Sequence, residues 1–482
     1  MTSDMLARAT PLSVRMLIGG QLIGSEATIA VRNPATGDVF ATAPDCSKDQ
    51  LDAAVQAARA AFPEWRARPY AERQKAVAAI ATVLSENLDT LKTLLTCEQG
   101  KPLPDAMGDI LSGAQWCQGT ATLEQPIHTF DEGPQRTGQT TRVPLGVVGA
   151  ISPWNFPVAL AMFKIAPALL AGNTVVLKPS PYTPLTTLRI GELLKEHFPP
   201  GVLNVISGGD ALGPWMTSHP DIDKITFTGS TQTGRRVMAS GAPTLKRITL
   251  ELGGNDPAIV LPDIDPKKLA PRIFWAAFRN NGQFCIATKR LYIHQDIYDD
   301  LKSALIAYAA TVRIGNGLED GVQLGPMQNP AQKAHVERLI AEARAEGIIC
   351  ETVGTVPQTD GTFLPLTFLD NPPDSCRAVR EEQFGPVLPL LKFQSTEEAI
   401  TRANACEYGL GAIVWSSDEA AALSVADRLE AGTVWINDCH YLSPLAPFAG
   451  LKQSGLGCEG GLEGLQEFSA PRTTFIRRAS KR

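Results

Sequence analysis

A chain of 482 residues exceeds what one hydrophobic core usually serves, so two large domains are expected. Its 44% hydrophobic and 20% charged content exclude a disordered, collagenous or fibrous chain. A net charge of −6 gives no reason to expect a nucleic-acid partner.

No run of about eighteen apolar residues occurs, which argues against a transmembrane helix. The start, with Asp4 and no apolar core before a small-residue cleavage site, reads as mature protein. Nine dispersed cysteines without a CxxC pair fit reduced thiols in a cytoplasm. Six scattered histidines lack any metal-ligand spacing, and the basic pairs Arg477-Arg478 and Lys481-Arg482 read as a solvated tail.

Along the chain, residues 51–61 and 70–99 are Ala/Leu-rich with a helical period. From Gly146 onward strands at 146–151, 174–178, 202–206 and 224–227 alternate with helices at 157–171, 184–197, 211–219 and 232–240. That rhythm is the rhythm of βαβ units, so a doubly wound parallel sheet with right-handed crossovers is expected. Thr249-Leu250-Glu251 ends a further apolar strand, and Leu252-Gly253-Gly254 marks a domain boundary. A second α/β series follows, with strands at 289–294, 387–393, 411–415 and 433–437. Its helices are expected at 297–312, 330–346, 396–406 and 418–430.

Four positions stand out chemically. Gly282 permits a turn that bulkier residues resist, presenting Cys285 on a loop after a helix; a lone cysteine is otherwise a small buried hydrophobe. Asn155 closes a strand at its C-terminal end, where open α/β sheets bind ligands; its amide is an oxyanion donor or the cap of the next helix. Burial would raise the pKa of Glu251 and make it a general base, although it could equally pair with a structural Arg or Lys. Phe227-Thr228-Gly229-Ser230 runs from strand through a tight turn to a helix start, suited to a pyrophosphate or merely a helix cap.

Together these segments resemble the aldehyde dehydrogenase superfamily, from about residue 17 to about residue 475. Pro153-Trp154-Asn155-Phe156-Pro157, Val175-Val176-Leu177-Lys178, Phe227 to Gly234, Glu251-Leu252-Gly253-Gly254 and Gly282-Gln283-Phe284-Cys285 stand in the family's order. Glu381-Glu382-Gln383-Phe384-Gly385 adds a sixth. The resemblance implies two Rossmann-like doubly wound α/β domains and a small β oligomerisation arm. It implies a coenzyme-binding domain over 1–124 and 144–252, a catalytic domain over 253–447, and an arm over 125–143 and 466–482. It also implies a hydrolytic NAD(P)-dependent enzyme in which Cys285 attacks the aldehyde carbonyl. The Asn155 amide and the Cys285 backbone N–H hold the oxyanion, and Glu251 activates the water that hydrolyses the thioester. Lys178 is expected on the adenosine ribose, Ser230 on a phosphate oxygen within the Gly229 to Gly234 turn, and Glu382 on the nicotinamide ribose. Trp154 and Phe384 flank the coenzyme.

The chain departs from the family's pattern at three places. Pro181 stands where NAD-preferring members carry a Glu, so NADP is admitted beside NAD; Ala449 and Cys458 replace a common Gly and Arg. By resemblance Phe156, Phe163, Trp116, Phe284, Tyr441 and Phe448 line the substrate tunnel, favouring a medium-chain or aromatic aldehyde. No Arg or Lys stands out there to grip a substrate carboxylate. A homodimer or homotetramer is implied, with the arm pairing to a C-terminal strand around 473–477. The alternatives are a CoA-acylating dehydrogenase, which needs no carboxylate base, and a non-catalytic homologue, which would have lost its nucleophile. Ester hydrolysis by Cys285 is a third, as a side activity of acyl-enzyme chemistry.

Overall fold

The computed structural model describes residues 13–133 and 135–478. The start around Asp4, the Lys481-Arg482 pair and the last four residues of the expected arm lie outside the described residues.

Two parallel-stranded sheets dominate. The first runs, edge to edge, Gln21–Ile23, Met16–Ile18, Leu203–Val205, Thr174–Lys178, Val147–Ile151, Lys224–Thr228, Arg247–Glu251 and Gly455–Leu456. Its five central strands are parallel and the flanking ones antiparallel. Val147–Ile151, Thr174–Lys178 and Lys224–Thr228 are buried at every position, which is why they read as continuous apolar runs instead of alternating. The order reverses at Val147–Ile151: the chain builds outward one way to Leu203–Val205, then returns to place Lys224–Thr228 on its other side. That reversal opens a crevice between the loops after Ile151 and after Thr228.

The second sheet has the order Cys350–Val353, Leu366–Asp370, Val387–Phe393, Thr288–His294, Asp256–Val260, Gly411–Trp415, Thr433–Ile436. Asp256–Val260, which the sequence reading passes over at its domain boundary, lies inside this sheet. Its residues alternate between two buried clusters, Ala258 and Val260 on one face and Ile259 on the other. Strand Leu366–Asp370 and helix Leu103–Thr120 were likewise not anticipated.

Local chemistry sets the helix boundaries. Helix Pro157–Ala171 opens on proline and stops at Gly172, whose φ of 98° is left-handed. The expected helix over 70–99 is two helices, Tyr70–Glu86 and Leu88–Gln99. Asn87 interrupts them, its amide donating back to the Val83 carbonyl at 2.8 Å. From Gly455–Leu456, which pairs with Arg247–Glu251, the chain returns to the first sheet, and Leu465 and Phe468 join the first core. A separate antiparallel sheet joins Ser469–Arg477, Arg136–Pro144 and His128–Asp131, within the segments expected to form the arm. Among the described residues no helix is long and apolar enough to cross a membrane, and no cluster of three metal-ligating side chains forms.

Candidate active site

The loop carrying Cys285 is shaped by three consecutive left-handed residues, Asn280, Asn281 and Gly282, with φ of 51°, 56° and 69°. Asparagine visits this region more readily than most residues, and here both amides tie the loop to distant segments. Asn280 donates to the Asn155 carbonyl at 3.1 Å, and Asn281 donates to the Gly325 carbonyl. A Cβ on Gly282 would stand 2.4 Å from the Gly385 carbonyl oxygen, so glycine is required there. Cys285 emerges on the wall of a cleft shared with Trp154, Asn155, Gly229, Ser230, Glu382 and Phe384. Burial pushes its thiol up, and Lys289 opposes that rise.

Asn155 does not cap the following helix: Phe156 occupies that position and makes no side-chain cap bond. The Asn155 amide instead donates to the Gln283 carbonyl at 3.1 Å, next to the nucleophile loop. An amide nitrogen carries two donors, so one N–H is left for a ligand. The loop is braced from behind by Lys101, which donates to the Asn155 carbonyl at 2.8 Å and is ion-paired with Asp109 at 2.9 Å.

Glu251 ends strand Arg247–Glu251, in register with Thr228. Its carboxylate is buried, both oxygens lack a hydrogen-bond partner, and it makes no ion pair within 4.0 Å among the described residues. It stands one residue before Leu252, which lines the cleft, instead of lining the cleft itself. Burial first, and then Glu459, drive its carboxyl well above the usual range, while Lys164 pulls it down. Lys164 donates to Glu459 and to the Thr228 hydroxyl, both at 2.6 Å. Sequence reasoning missed this lysine, although it is the one charged residue of an otherwise apolar helix, Pro157–Ala171.

The cleft fits a dinucleotide. It lies at the sheet's reversal, it holds the Ser230 hydroxyl at the start of helix Thr231–Gly241, and its aromatic walls Trp154 and Phe384 meet edge to face at 5.3 Å. Gly253 keeps the floor open, since a Cβ there would fall 2.4 Å from a Glu382 oxygen. Glu382 accepts from the Gly254 N–H at 3.2 Å. Ser230 also caps its helix, accepting from the Thr233 N–H at 3.3 Å, as the capping reading expects. Gly234 is not part of the cleft wall; it lets Leu252 approach, where a Cβ would clash at 2.5 Å. Lys178 sits one strand over, buried, with its amine lowered to about 8 by burial.

A second cavity meets the nucleophile loop at Phe284. Phe156, Phe163, Trp116 and Phe284 line it, with Trp116 stacked on Phe163 at 3.5 Å and Phe156 against Phe284 at 4.3 Å. Two expected tunnel residues lie elsewhere: Tyr441 is 64% exposed, and Phe448 packs into the second core. The neighbouring His440 and Leu442 line it instead, with the His440 ring against Phe284 at 4.6 Å. A cation does line this channel, contrary to expectation. Arg279 has as its nearest ionic partner Asp105 at 3.7 Å, beyond hydrogen-bond reach. Its position six residues before Cys285 was the available signal.

The aldehyde dehydrogenase family model matches residues 23–474. Phenylacetaldehyde dehydrogenase of Pseudomonas fluorescens is 40% identical over 480 residues, covering 96% of this chain and 95% of that protein. The solved structure of betaine aldehyde dehydrogenase from Staphylococcus aureus in complex with NAD+ superposes with a TM-score of 0.95 at 34% identity, covering 98% of this chain and 97% of that one. The NAD+ complex of aldehyde dehydrogenase from Bacillus cereus gives 0.94 at 35% identity, covering 99% and 98%. The chain thus belongs to the aldehyde dehydrogenase family and is an oxidoreductase that acts on aldehydes.

Proposed function

We propose that this enzyme oxidises an aromatic or medium-chain aldehyde to the carboxylic acid through covalent capture on Cys285. The observation that carries it is the bond from the Asn155 amide to the Gln283 carbonyl, which holds an oxyanion donor against the nucleophile loop on the cleft that Cys285 lines, next in sequence to Phe156 and Phe284 of the aromatic cavity. The Cys285 sulfur attacks the carbonyl carbon, and the oxygen takes its charge between the spare Asn155 N–H and the Cys285 N–H. Trp154, Ser230, Glu382 and Phe384 would hold the dinucleotide, together with Lys178 and the Gly229 turn. When bound there, a nicotinamide coenzyme supplies the two-electron acceptor that leaves the captured carbon as a thioester. Glu251, whose oxygens are unpartnered, turns past Leu252 and takes the proton of the attacking water. The acid then leaves and the thiol returns.

NAD is the coenzyme, with NADP also accepted because Pro181 neither repels a 2′-phosphate nor accepts ribose hydroxyls. The aromatic channel and the substrate named for the Pseudomonas fluorescens relative support the aldehyde class. Residues 1–124 and 144–252 act as the coenzyme-binding part and residues 253–447 as the catalytic part, in the cytoplasm. The arm joins copies into a dimer or tetramer, and the exposed Phe475 and Ile476 on its outer strand support that.

Turnover of aldehydes with either coenzyme, read as absorbance of the reduced nicotinamide, tests the proposal. Cys285→Ala abolishes both dehydrogenase and ester-hydrolysing turnover while the fold survives. A rate above about a hundredth of wild type, more than the oxyanion donors alone sustain, refutes it.

A further inference from the structure

Lys289 is buried in the protein interior, and none of the roles above uses it. It lies in strand Thr288–His294 with its side chain 1% exposed. Its amine donates to the Phe284 carbonyl, immediately before the nucleophile, at 2.5 Å. The same amine lies 3.8 Å from Oε1 of Glu382, on the wall of the dinucleotide cleft. It also sits over the Phe384 ring at 5.5 Å. One cation therefore touches both the nucleophile loop and the cleft.

Other ionisable groups lie around this pair: burial lowers His335 on the cleft wall and raises the Tyr408 hydroxyl beside Glu382. Asp256, on strand Asp256–Val260, is buried with both oxygens unpartnered and is pushed up to about 8 mainly by burial, so its proton is largely retained at neutral pH. His440, from the loop after Thr433–Ile436, is driven down to about 3 by burial and stays neutral. Arg290 faces Asp256 but is spent on the Asn255 and Ala403 carbonyls at 2.9 and 3.0 Å. Glu251, at the end of strand Arg247–Glu251, is raised by burial and by Glu459 against the pull of Lys164. Glu382 remains as the counter-charge of Lys289, and burial raises its carboxyl while Lys289 lowers it.

We propose that Lys289 is a positioning residue that sets how much of Cys285 is thiolate and, through Glu382, ties that fraction to the filling of the dinucleotide cleft. It rests on Cys285 being the nucleophile. A cation in a low-dielectric pocket stabilises a nearby thiolate, and a carboxylate beside that cation cancels part of its field. Ribose hydroxyls that hydrogen-bond Glu382 draw its charge towards the cleft. The field of Lys289 then falls more fully on Cys285. The thiol is thereby most reactive when its reaction partner is in place.

Alkylation of the full-length protein by iodoacetamide tests this, followed by mass spectrometry on the Cys285 peptide across the neutral-to-alkaline range. In the coenzyme-free protein Lys289→Met slows alkylation at neutral pH about tenfold, the thiolate loss of one pKa unit, and the rates converge at high pH. Lys289→Arg keeps the charge and recovers most of that rate. Glu382→Gln removes the opposing charge and speeds alkylation; because Glu382 lies at the cleft, this variant decides the matter should Lys289→Met not fold. ADP-ribose, which brings ribose hydroxyls without covering the sulfur with nicotinamide, speeds alkylation of wild type and leaves Lys289→Met unchanged. Superposed wild-type and Lys289→Met profiles overturn the proposal. So does Glu382→Gln alkylating no faster than wild type, or ADP-ribose acting equally on both proteins. Aldehyde turnover by wild type and its loss in Cys285→Ala, which test the nucleophile itself, are unaffected by any of these results.

Discussion

Removing the amine beneath the candidate base, as Lys164→Met, separates electrostatics from packing. In the native protein that amine bonds Glu459 at 2.6 Å with both side chains almost wholly buried, at 0% and 2% exposure. Breaking a buried pair by deleting one partner costs about 3–5 kcal/mol, so the variant unfolds at lower temperature. The second effect is on Glu251. Lys164 is the charge that draws its carboxyl down against burial and Glu459, so without the lysine that carboxyl climbs further. A general base works only when ionised, so thioester hydrolysis rises with pH through the Glu251 pKa, and that limb moves alkaline. A shift of one unit is about 1.4 kcal/mol and slows steady-state turnover at neutral pH roughly tenfold. Glu459→Gln has the opposite sign: it removes a charge that raises Glu251 and leaves Lys164 unopposed, moving the limb to lower pH. Stopped-flow traces give the hydrolytic phase, as the slow rate after the initial burst of reduced coenzyme, at each pH. Disturbed packing alone would slow both variants without opposed displacements. Limbs that superpose on wild type, or move in one direction, refute the reasoning.

Stability should carry the mark of the same carboxyl. Its folded pKa is raised above the ordinary 4.5, so its contribution is full below that value and is lost as pH climbs through the folded one. Glu251→Gln flattens this part of the pH–stability curve in calorimetry, and an unchanged slope counts against it. Arg279→Met lowers kcat/KM for an aldehyde bearing a distal carboxylate roughly tenfold more than for an uncharged isostere, the worth of a charged hydrogen bond. Equal losses for the two substrates rule out contact with that guanidinium. Pro181→Glu raises the NAD-over-NADP ratio of kcat/KM, because a carboxylate accepts ribose hydroxyls and repels a 2′-phosphate. A constant ratio removes Pro181 from coenzyme choice.

Much of the first sheet was legible because strands such as Val147–Ile151 and Thr174–Lys178 are buried on both faces and so appear as uninterrupted apolar runs between helix starts. Asp256–Val260 escaped notice although it is equally buried, because it begins with an aspartate and a proline that read as loop. Helix 70–99 was read as continuous because periodicity does not report one asparagine turning its amide onto the preceding carbonyl. At the site, Cys285, Asn155 and Glu382 were found through local motifs, and the cleft gathers all three. The tunnel fared less well. Phe156 and Phe163 sit near one helix start, so their shared face follows from helical spacing, whereas Tyr441 and Phe448 belong to an irregular stretch whose direction no spacing rule sets.

The linear chain alone determined which groups are chemically equipped: a thiol after a glycine turn, an amide at a strand end, and a carboxylate closing an apolar strand. Only the tertiary structure decided which charges surround them. Lys164 meets Glu459 across 295 positions of chain, and Lys289 approaches Glu382 from another segment of the chain. Such pairings depend on how buried elements pack, and the cost of isolating a charge from water makes them obligatory once packing brings the groups together.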